Sequence, residues 1–148
     1  MKLLFVCTGN TCRSPMAEGI YNAKAVLLGL PPAESAGIFA VPGDPATPYA
    51  ITAAADYGAD LSAHQARPVT AELLAACDLV LCMTPSHLAA LTNRFPDYAS
   101  KYRLLDVNGI PDPYGGDLAC YRRTAAVIQA AIEPYLKEAG TDAAGHTV

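Results

Sequence analysis

Continuous apolar runs alternate with polar, turn-rich stretches along this chain. The run Lys2–Cys7 is rich in Leu, Phe and Val, and Asp78–Met83 is a second run of the same kind. Unbroken runs of this length are typical of parallel strands that are buried on both faces. Two shorter segments, Ala33–Gly37 and Tyr102–Leu105, complete a predicted set of four strands.

Helix signals fill the stretches between these strands. Ser14 at a predicted cap and Pro15 at the first helical position indicate a helix that runs to about Leu28, before a glycine. Further helices are predicted over 48–57, 70–76, 85–95 and 118–138, the last with a kink or break at Pro134. The small, polar residues from about 140 to 148 are predicted to form a frayed tail.

The alternation of strands and helices predicts an α/β fold with three layers, in which a four-stranded parallel sheet is flanked by helices. The 148 residues fit one domain, 1–148, and the chain has no repeat or linker. Ligands of such sheets bind at the carboxyl ends of the strands, so a phosphate-binding loop is expected directly after the first strand.

Composition excludes several classes of protein. A hydrophobic content of 52% with 16% charged residues excludes a disordered chain. Ten Lys and Arg residues against fourteen Asp and Glu argue against a broad basic surface, so no nucleic-acid partner is expected and any anion site must be local. No apolar run reaches 18 residues, and Thr8–Asn10 interrupts the first run too early for a signal peptide. We therefore expect no membrane partner and a cytoplasmic location.

The cysteines and histidines do not form a recognisable metal motif. The five cysteines include no Cys-x2-Cys pair, and the three histidines are scattered, so no metal site is expected. Reduced thiols are expected in the cytoplasm, with one or two of them chemically active. Cys77, Cys82 and Cys120 are predicted to be core residues, and Tyr121, which precedes two arginines, is predicted to lie on a solvated helix face.

The segment Cys7–Ser14 carries the strongest chemical signal. A cysteine ends a buried strand, five residues follow, and Arg13 and Ser14 open a helix. Backbone N–H groups of such a turn, permitted by Gly9, converge with the helix dipole to form a cradle for an oxyanion. Arg13 offers a planar fork for two phosphate oxygens, and the same field stabilises a thiolate at Cys7. Ser14 can donate a proton to this sulfur, so the segment predicts a nucleophile directed at phosphorus.

This loop resembles the Cys-x5-Arg-Ser pattern of the low-molecular-weight protein tyrosine phosphatase family. The second signature of that family is present in the late loop as Asp112-Pro113-Tyr114, and Ser35–Gly37 and His64-x2-Arg67 are weaker matches. The resemblance covers about residues 2 to 136. It implies a four-stranded parallel sheet and an enzyme that dephosphorylates protein side chains without a cofactor, with phosphate or other oxyanions bound in the loop.

The resemblance assigns roles to the catalytic residues. It implies that Cys7 is the nucleophile and forms a phosphocysteine, and that Arg13 binds phosphate. Asp112 is implied to be the general acid that protonates the leaving group and then the base that activates water. The other residues of the implied phosphate-binding loop are Thr8, Gly9, Asn10, Thr11, Cys12 and Ser14.

The residues around this loop are assigned by the same resemblance. Ser35 and His64 are implied to support the loop together with Asn10 and Ser14. Thr11, Phe39 and Tyr114 are implied to line the substrate slot above it. Cys12 is implied to be a redox partner that traps oxidised Cys7 as a reversible disulfide.

Thr11 bears on the substrate residue. An apolar β-branched residue often precedes the second loop cysteine in the tyrosine phosphatases of this family, whereas Thr11, the pair Gly115-Gly116 and the loop 39–50 are similar to the bacterial protein arginine phosphatases. A threonine hydroxyl can hydrogen-bond to a guanidinium group, but isoleucine can only pack on a ring. Tyr114, which can stack on either group, is the commoner choice in tyrosine phosphatases. Phosphoarginine is therefore the predicted substrate residue, with phosphotyrosine as the alternative.

Two further classes of protein share features with this pattern. A thiol-dependent arsenate reductase needs two more cysteines after the third strand; Cys82 is near the first place, but Ala89 and Ala90 occupy the region of the second. A non-catalytic phosphoprotein-binding module would be expected to have lost a catalytic residue. All three catalytic candidates are present, so the sequence favours an enzyme.

Overall fold

A four-stranded parallel sheet forms the centre of the molecule. The computed structural model describes the backbone of residues 1–145 and the side chains of residues 1–137. In the sheet, the strands follow the order β2-β1-β3-β4, and every neighbouring pair is parallel. The strands are β1 (Leu3–Cys7), β2 (Glu34–Gly37), β3 (Leu79–Cys82) and β4 (Tyr102–Leu104). The predicted sheet is thus confirmed, each strand within one residue of its expected bounds at either end.

Helices cover both faces of this sheet. The helices are α1 (Arg13–Leu28), α2 (Pro48–Ala55), α3 (Ala71–Ala76), α4 (Pro85–Arg94) and α5 (Leu118–Gly145). A short 3-10 helix at Pro96–Lys101, which the sequence patterns did not indicate, leads into β4. One core cluster packs α1, α2 and α5 on one face, and a second cluster packs α3 and α4 on the other. The predicted three-layer α/β architecture is confirmed.

Strand β1 places the predicted nucleophile. Side chains alternate along a strand, so Leu3, Phe5 and Cys7 face the layer of α1, α2 and α5, whereas Leu4 and Val6 face α3 and α4. All five residues are buried. Cys7 is therefore at the carboxyl end of a central strand, on the face against which α1 packs.

The start of α1 differs from the prediction. The helix begins at Arg13, and its cap is Cys12, which makes no side-chain capping bond. Ser14 is therefore not the cap but lies buried within the first turn. Its hydroxyl is within 2.9 Å of the Cys7 sulfur, so it serves the loop rather than the helix end.

Helix α5 is longer than predicted. It continues through Pro134, where a kink or break was expected, and past Glu138 to Gly145. Residues 140–145 of the predicted tail are thus helical, and residues 146–148 lie outside the described residues. In the part of the chain that is described, no helix, α5 included, is both long enough and apolar enough to cross a membrane.

Candidate active site

The loop between β1 and α1 borders a cavity of about 200 Å³. Cys7 and Arg13 are buried at this cavity, and Asp112 approaches it from the long loop that precedes α5. The full lining is Cys7, Thr8, Gly9, Thr11, Cys12, Arg13, Asp112 and Tyr114. A thiol and a guanidinium group from one loop and a carboxyl group from a distant part of the chain thus converge on one small cavity.

Asn10 sets the shape of the loop. It is fully buried and adopts a left-handed conformation with φ of 57°, which asparagine tolerates better than most residues. Its Nδ2 donates to the Ser14 hydroxyl at 2.8 Å and to the Ser35 hydroxyl at 2.9 Å, and its Oδ1 accepts from the backbone N–H of Arg67 at 3.0 Å. The tight turn therefore depends on Asn10 rather than on Gly9, where an added Cβ would meet only an ordinary contact at 3.6 Å.

Ser14 connects this network to Cys7. Its Oγ lies 2.9 Å from the Cys7 sulfur and accepts a hydrogen bond from Asn10. Because that bond occupies only a lone pair, Ser14 can donate its proton to the sulfur, which is nearer than its other acceptor, the backbone oxygen of Ala36 at 3.5 Å. The amino end of α1 adds its positive potential. This arrangement places a hydrogen-bond donor and the positive end of a helix beside the Cys7 sulfur.

The back of the loop rests on the end of β2 and the segment before α3. His64 Nε2 lies 2.7 Å from the backbone oxygen of Asn10, and the Ser35 hydroxyl donates to the Glu18 carboxylate. Gly37 is required here, because an added Cβ would lie 2.6 Å from the backbone oxygen of Thr8. The predicted supporting residues Asn10, Ser14, Ser35 and His64 are all brought together.

Asp112 is held at the opening of the cavity. Its Oδ1 accepts the backbone N–H of Tyr114 at 3.1 Å, and its Oδ2 lies 3.6 Å from Nη2 of Arg13. The Asp112 side chain is 53% exposed, so water reaches its carboxyl group. Tyr114 is 74% exposed and lines the outer part of the cavity.

Phe39 does not lie where the resemblance implied. Its side chain is exposed and packs against the guanidinium group of Arg94 at 5.9 Å, outside the cavity lined by Thr11 and Tyr114. Arg94 is itself anchored by a hydrogen bond to the backbone oxygen of Ile38. The backbone N–H of Phe39 donates to the oxygen of Thr8 in the loop at 2.9 Å.

His87 was not identified from the sequence. Its Nε2 lies 2.7 Å from the hydroxyl of Thr8, and its Nδ1 lies 3.1 Å from the hydroxyl of Thr84. Burial, reinforced by the charge of Arg13, lowers the pKa of His87 to about 4, so the imidazole is neutral at physiological pH. The usable signal was its position in the first turn of α4, at the carboxyl end of β3.

Tyr121 was assigned wrongly to a solvated face. It is buried, and its hydroxyl lies 3.4 Å from the Cys12 sulfur and accepts a hydrogen bond from Thr47 at 3.3 Å. Thr47 Oγ1 is also 3.5 Å from the same sulfur. Burial raises the pKa of Tyr121 to about 12, so the phenol stays protonated and can donate to Cys12.

The remaining cysteines are remote from this chemistry. Cys77 and Cys82 are buried as predicted, and burial raises the pKa of the Cys82 thiol to about 12. Cys120 is only half-buried, so its core assignment was wrong. All five cysteines are free thiols. Among the described residues, no group of three His, Cys, Asp or Glu side chains is arranged to hold a metal ion.

Comparisons with known proteins agree with this geometry. The family model described as low molecular weight phosphotyrosine protein phosphatase matches residues 2–144. The protein-arginine-phosphatase of Bacillus subtilis is 38% identical over 96% of this chain and 99% of its own.

Two solved structures are similar throughout. The first is the YwlE arginine phosphatase, in a mutant with a phosphorylated active-site serine, at 36% identity and a TM-score of 0.89 over 93% of this chain and 95% of that one. The second is a low molecular weight protein tyrosine phosphatase from T. tengcongensis, at 43% identity and a TM-score of 0.88 over 93% of this chain and 99% of that one.

Proposed function

The chain belongs to the low molecular weight phosphotyrosine protein phosphatase family, and we propose that it hydrolyses phosphoarginine in proteins through a phosphocysteine at Cys7. The observation that carries this proposal is the convergence of Cys7, Arg13 and Asp112 on one cavity. Its partners are phosphorylated proteins, with phosphate and other oxyanions bound in the loop. The proposed setting is the cytoplasm, where the thiols stay reduced.

The first step transfers the phosphoryl group to sulfur. The Cys7 thiolate attacks phosphorus in line with the leaving group, and Arg13 and the backbone N–H groups of the loop bind the phosphoryl oxygens. As the S–P bond forms, the P–N bond breaks and Asp112 donates its proton to the departing guanidine nitrogen. The products are phosphocysteine, an Asp112 carboxylate and a free arginine side chain.

The second step returns the enzyme to its starting state. The Asp112 carboxylate takes a proton from water while the water oxygen attacks phosphorus, and the P–S bond breaks. Inorganic phosphate leaves, and the Cys7 thiolate is stabilised by the hydroxyl of Ser14 at 2.9 Å. Both steps use only residues of this chain and water, so no metal ion or cofactor enters the proposal.

Thr11 supports phosphoarginine as the substrate residue. It lines the cavity and is half-buried there, so its hydroxyl is available to a polar leaving group. A guanidino group carries N–H donors that a hydroxyl oxygen can accept, whereas a phenol ring offers none. The similarity to the Bacillus subtilis protein-arginine-phosphatase favours the same substrate.

Phosphotyrosine is the second candidate, and a specific observation favours it. Tyr114 stands exposed at the outer cavity, where its ring can stack on a phenyl ring as well as on a guanidinium group. The 43% identity to the T. tengcongensis tyrosine phosphatase is consistent with that use. The chemistry at Cys7 and Asp112 would be the same for both substrates.

An arsenate reductase is disfavoured by the state of Cys82. A disulfide relay needs an accessible thiol on a mobile segment, but Cys82 is fully buried in β3 and burial raises its pKa to about 12. A purely phosphate-binding module would need no acid, yet Asp112 is placed 3.6 Å from Arg13 at the cavity.

The test compares kcat/KM for matched phosphoarginine and phosphotyrosine peptides in the native protein and in Thr11→Ile. A preference of about tenfold or more for phosphoarginine that Thr11→Ile abolishes would support the proposal. A preference for phosphotyrosine that does not respond to this substitution would make the protein a tyrosine phosphatase. A millimolar chelator serves as a control and should leave both rates unchanged.

A further inference from the structure

Thr8 and His87 form a contact that the proposed mechanism leaves unused. Thr8 directly follows the nucleophile, is exposed and lines the catalytic cavity. His87 is buried behind it on α4, with Nε2 at 2.7 Å from the Thr8 hydroxyl. A short hydrogen bond between a buried ring and the hydroxyl of an exposed residue fixes the position of that hydroxyl.

The other side of the imidazole is anchored as well. Nδ1 lies 3.1 Å from the hydroxyl of Thr84, and the same hydroxyl accepts the backbone N–H of His87 at 3.3 Å as the cap of α4. The hydroxyl of Ser86 lies 2.9 Å from Thr84 Oγ1 and completes the hydrogen bonding around it. The ring of His87 therefore has partners on both nitrogens and little freedom to rotate.

Either neutral tautomer of His87 leaves Thr8 able to accept a hydrogen bond. If Thr8 donates to Nε2, both lone pairs of its oxygen remain, and if Nε2–H donates to Thr8, one lone pair remains. Since the imidazole is neutral at physiological pH, these are the two states to consider. In each of them the cavity contains a fixed neutral acceptor.

We infer that His87 is a positioning residue that holds the Thr8 hydroxyl as an acceptor for the N–H groups of the leaving guanidine, and that this contact contributes to specificity for phosphoarginine. The inference rests on the proposed function, because only a guanidino leaving group brings N–H donors to this place. A phenolic leaving group has a ring C–H edge there and offers the Thr8 oxygen no hydrogen-bond donor.

The test measures kcat/KM for matched phosphoarginine and phosphotyrosine peptides in Thr8→Val, His87→Leu and the double variant. Each single substitution is expected to lower the ratio of the two values, phosphoarginine over phosphotyrosine, by about tenfold. The double variant should lower it no further, because His87 acts through Thr8. His87→Gln, which can place an amide group near the position of Nε2, should restore part of the ratio.

The controls separate positioning from folding. Thr92→Ala removes a hydroxyl that donates to a backbone oxygen within α4. The ratio of kcat/KM values should therefore stay within twofold of the native ratio. Thr8 is exposed, so Thr8→Val should fold normally even if a variant of buried His87 does not. Thermal unfolding of each variant checks this directly.

The outcomes distinguish this inference from the proposed function. If the native protein prefers phosphotyrosine, the proposed function fails. If it prefers phosphoarginine but Thr8→Val lowers kcat/KM equally for both substrates, or for neither, the proposed function stands and the inference is wrong. Additive effects of Thr8→Val and His87→Leu on the ratio would also overturn it, because the two residues would then act independently.

Discussion

Arg13 donates a hydrogen bond from Nη1 to the backbone oxygen of Ile110 at 2.9 Å. Ile110 lies two residues before Asp112, whose carboxylate is 3.6 Å from Nη2 of the same side chain. The residue proposed to bind phosphate therefore also joins the phosphate-binding loop to the loop of the proposed acid. Phosphate would compete with Asp112 for Nη2, while Nη1 keeps the acid loop in place.

Arg13→Lys should lower kcat/KM by at least about 100-fold. An ammonium group lacks the planar fork of arginine, so it cannot bind phosphate in the same way and also hold the backbone oxygen of Ile110. Steady-state kinetics on a phosphorylated peptide measures this loss. Arg122→Lys is the matched control, since Arg122 lies outside the cavity and forms an exposed ion pair with Asp56. Nearly native activity in Arg13→Lys would show that the charge alone suffices.

Cys7→Ser should lower kcat by at least about 1,000-fold, because a serine hydroxyl is a far weaker nucleophile than a thiolate. Its affinity for inorganic phosphate, measured by calorimetry, should remain similar, since Arg13 and the loop N–H groups are intact. Cys120→Ser, at a half-buried cysteine outside the cavity, should keep native turnover. Full turnover by Cys7→Ser would refute the phosphocysteine mechanism.

Asp112→Asn should lower kcat by about 100-fold or more on phosphorylated peptides, because an amide cannot protonate the leaving group. The loss should be much smaller with p-nitrophenyl phosphate, whose leaving group departs without a proton. Asparagine can still accept the N–H of Tyr114 through Oδ1, so the loop should keep its shape. Asp106→Asn is the control, since Asp106 makes a similar turn contact outside the cavity. Equal losses on both substrates would assign Asp112 a structural role.

Tyr121→Phe should slow disulfide formation between Cys7 and Cys12 after treatment with hydrogen peroxide. In the proposed redox step, peroxide oxidises the Cys7 thiolate to a sulfenic acid, and the Cys12 thiol then attacks that sulfur, forming the disulfide and releasing water. Without the phenol at 3.4 Å from its sulfur, Cys12 loses a hydrogen-bond donor that stabilises negative charge on the sulfur during this attack. In Tyr121→Phe, we expect dithiothreitol to recover a roughly threefold smaller fraction of activity than it does in the native protein.

The comparison variant for this prediction is Cys12→Ser. It cannot form the disulfide, so dithiothreitol should recover the smallest fraction of its activity. Tyr57→Phe removes a tyrosine hydroxyl outside the cavity lining and should recover like the native protein. Recovery by Tyr121→Phe equal to that of the native protein would show that the contact with Cys12 has no redox role.

His87 should make the free energy of unfolding depend on pH. Its pKa is about 4 in the folded chain against an ordinary value of 6.5, so between these values the unfolded chain binds more protons. Lowering the pH through this window therefore destabilises the fold, by about 2 kcal/mol between pH 7 and pH 5. Urea unfolding at the two pH values, compared with His87→Gln, measures it. An equal loss of stability in the variant would assign the effect to other groups.

Local signals explain why much of the fold was predictable. The apolar runs of β1 and β3 identify buried strands whatever lies around them, and Gly29 marks the end of α1 through its left-handed conformation. The segment Cys7–Ser14 is equally local, because its backbone forms one turn between a strand and a helix. Residues were misassigned where their side chains make contacts outside their own helix or strand. Ser14 is an example, because its hydroxyl contacts Cys7 instead of capping α1.

The amino-acid sequence by itself determined the α/β class, the order of the elements and the chemical content of the phosphate-binding loop. Only the tertiary structure decided which distant side chains meet that loop: His87 from α4 at Thr8, Tyr121 from α5 at Cys12, and Phe39 on Arg94 outside the cavity. The physical reason is that the residue pattern marking a helix or a strand lies within a few residues, even though the strands then pair with distant segments. Whether a histidine or tyrosine is buried, and what it binds, depends instead on which elements pack over it.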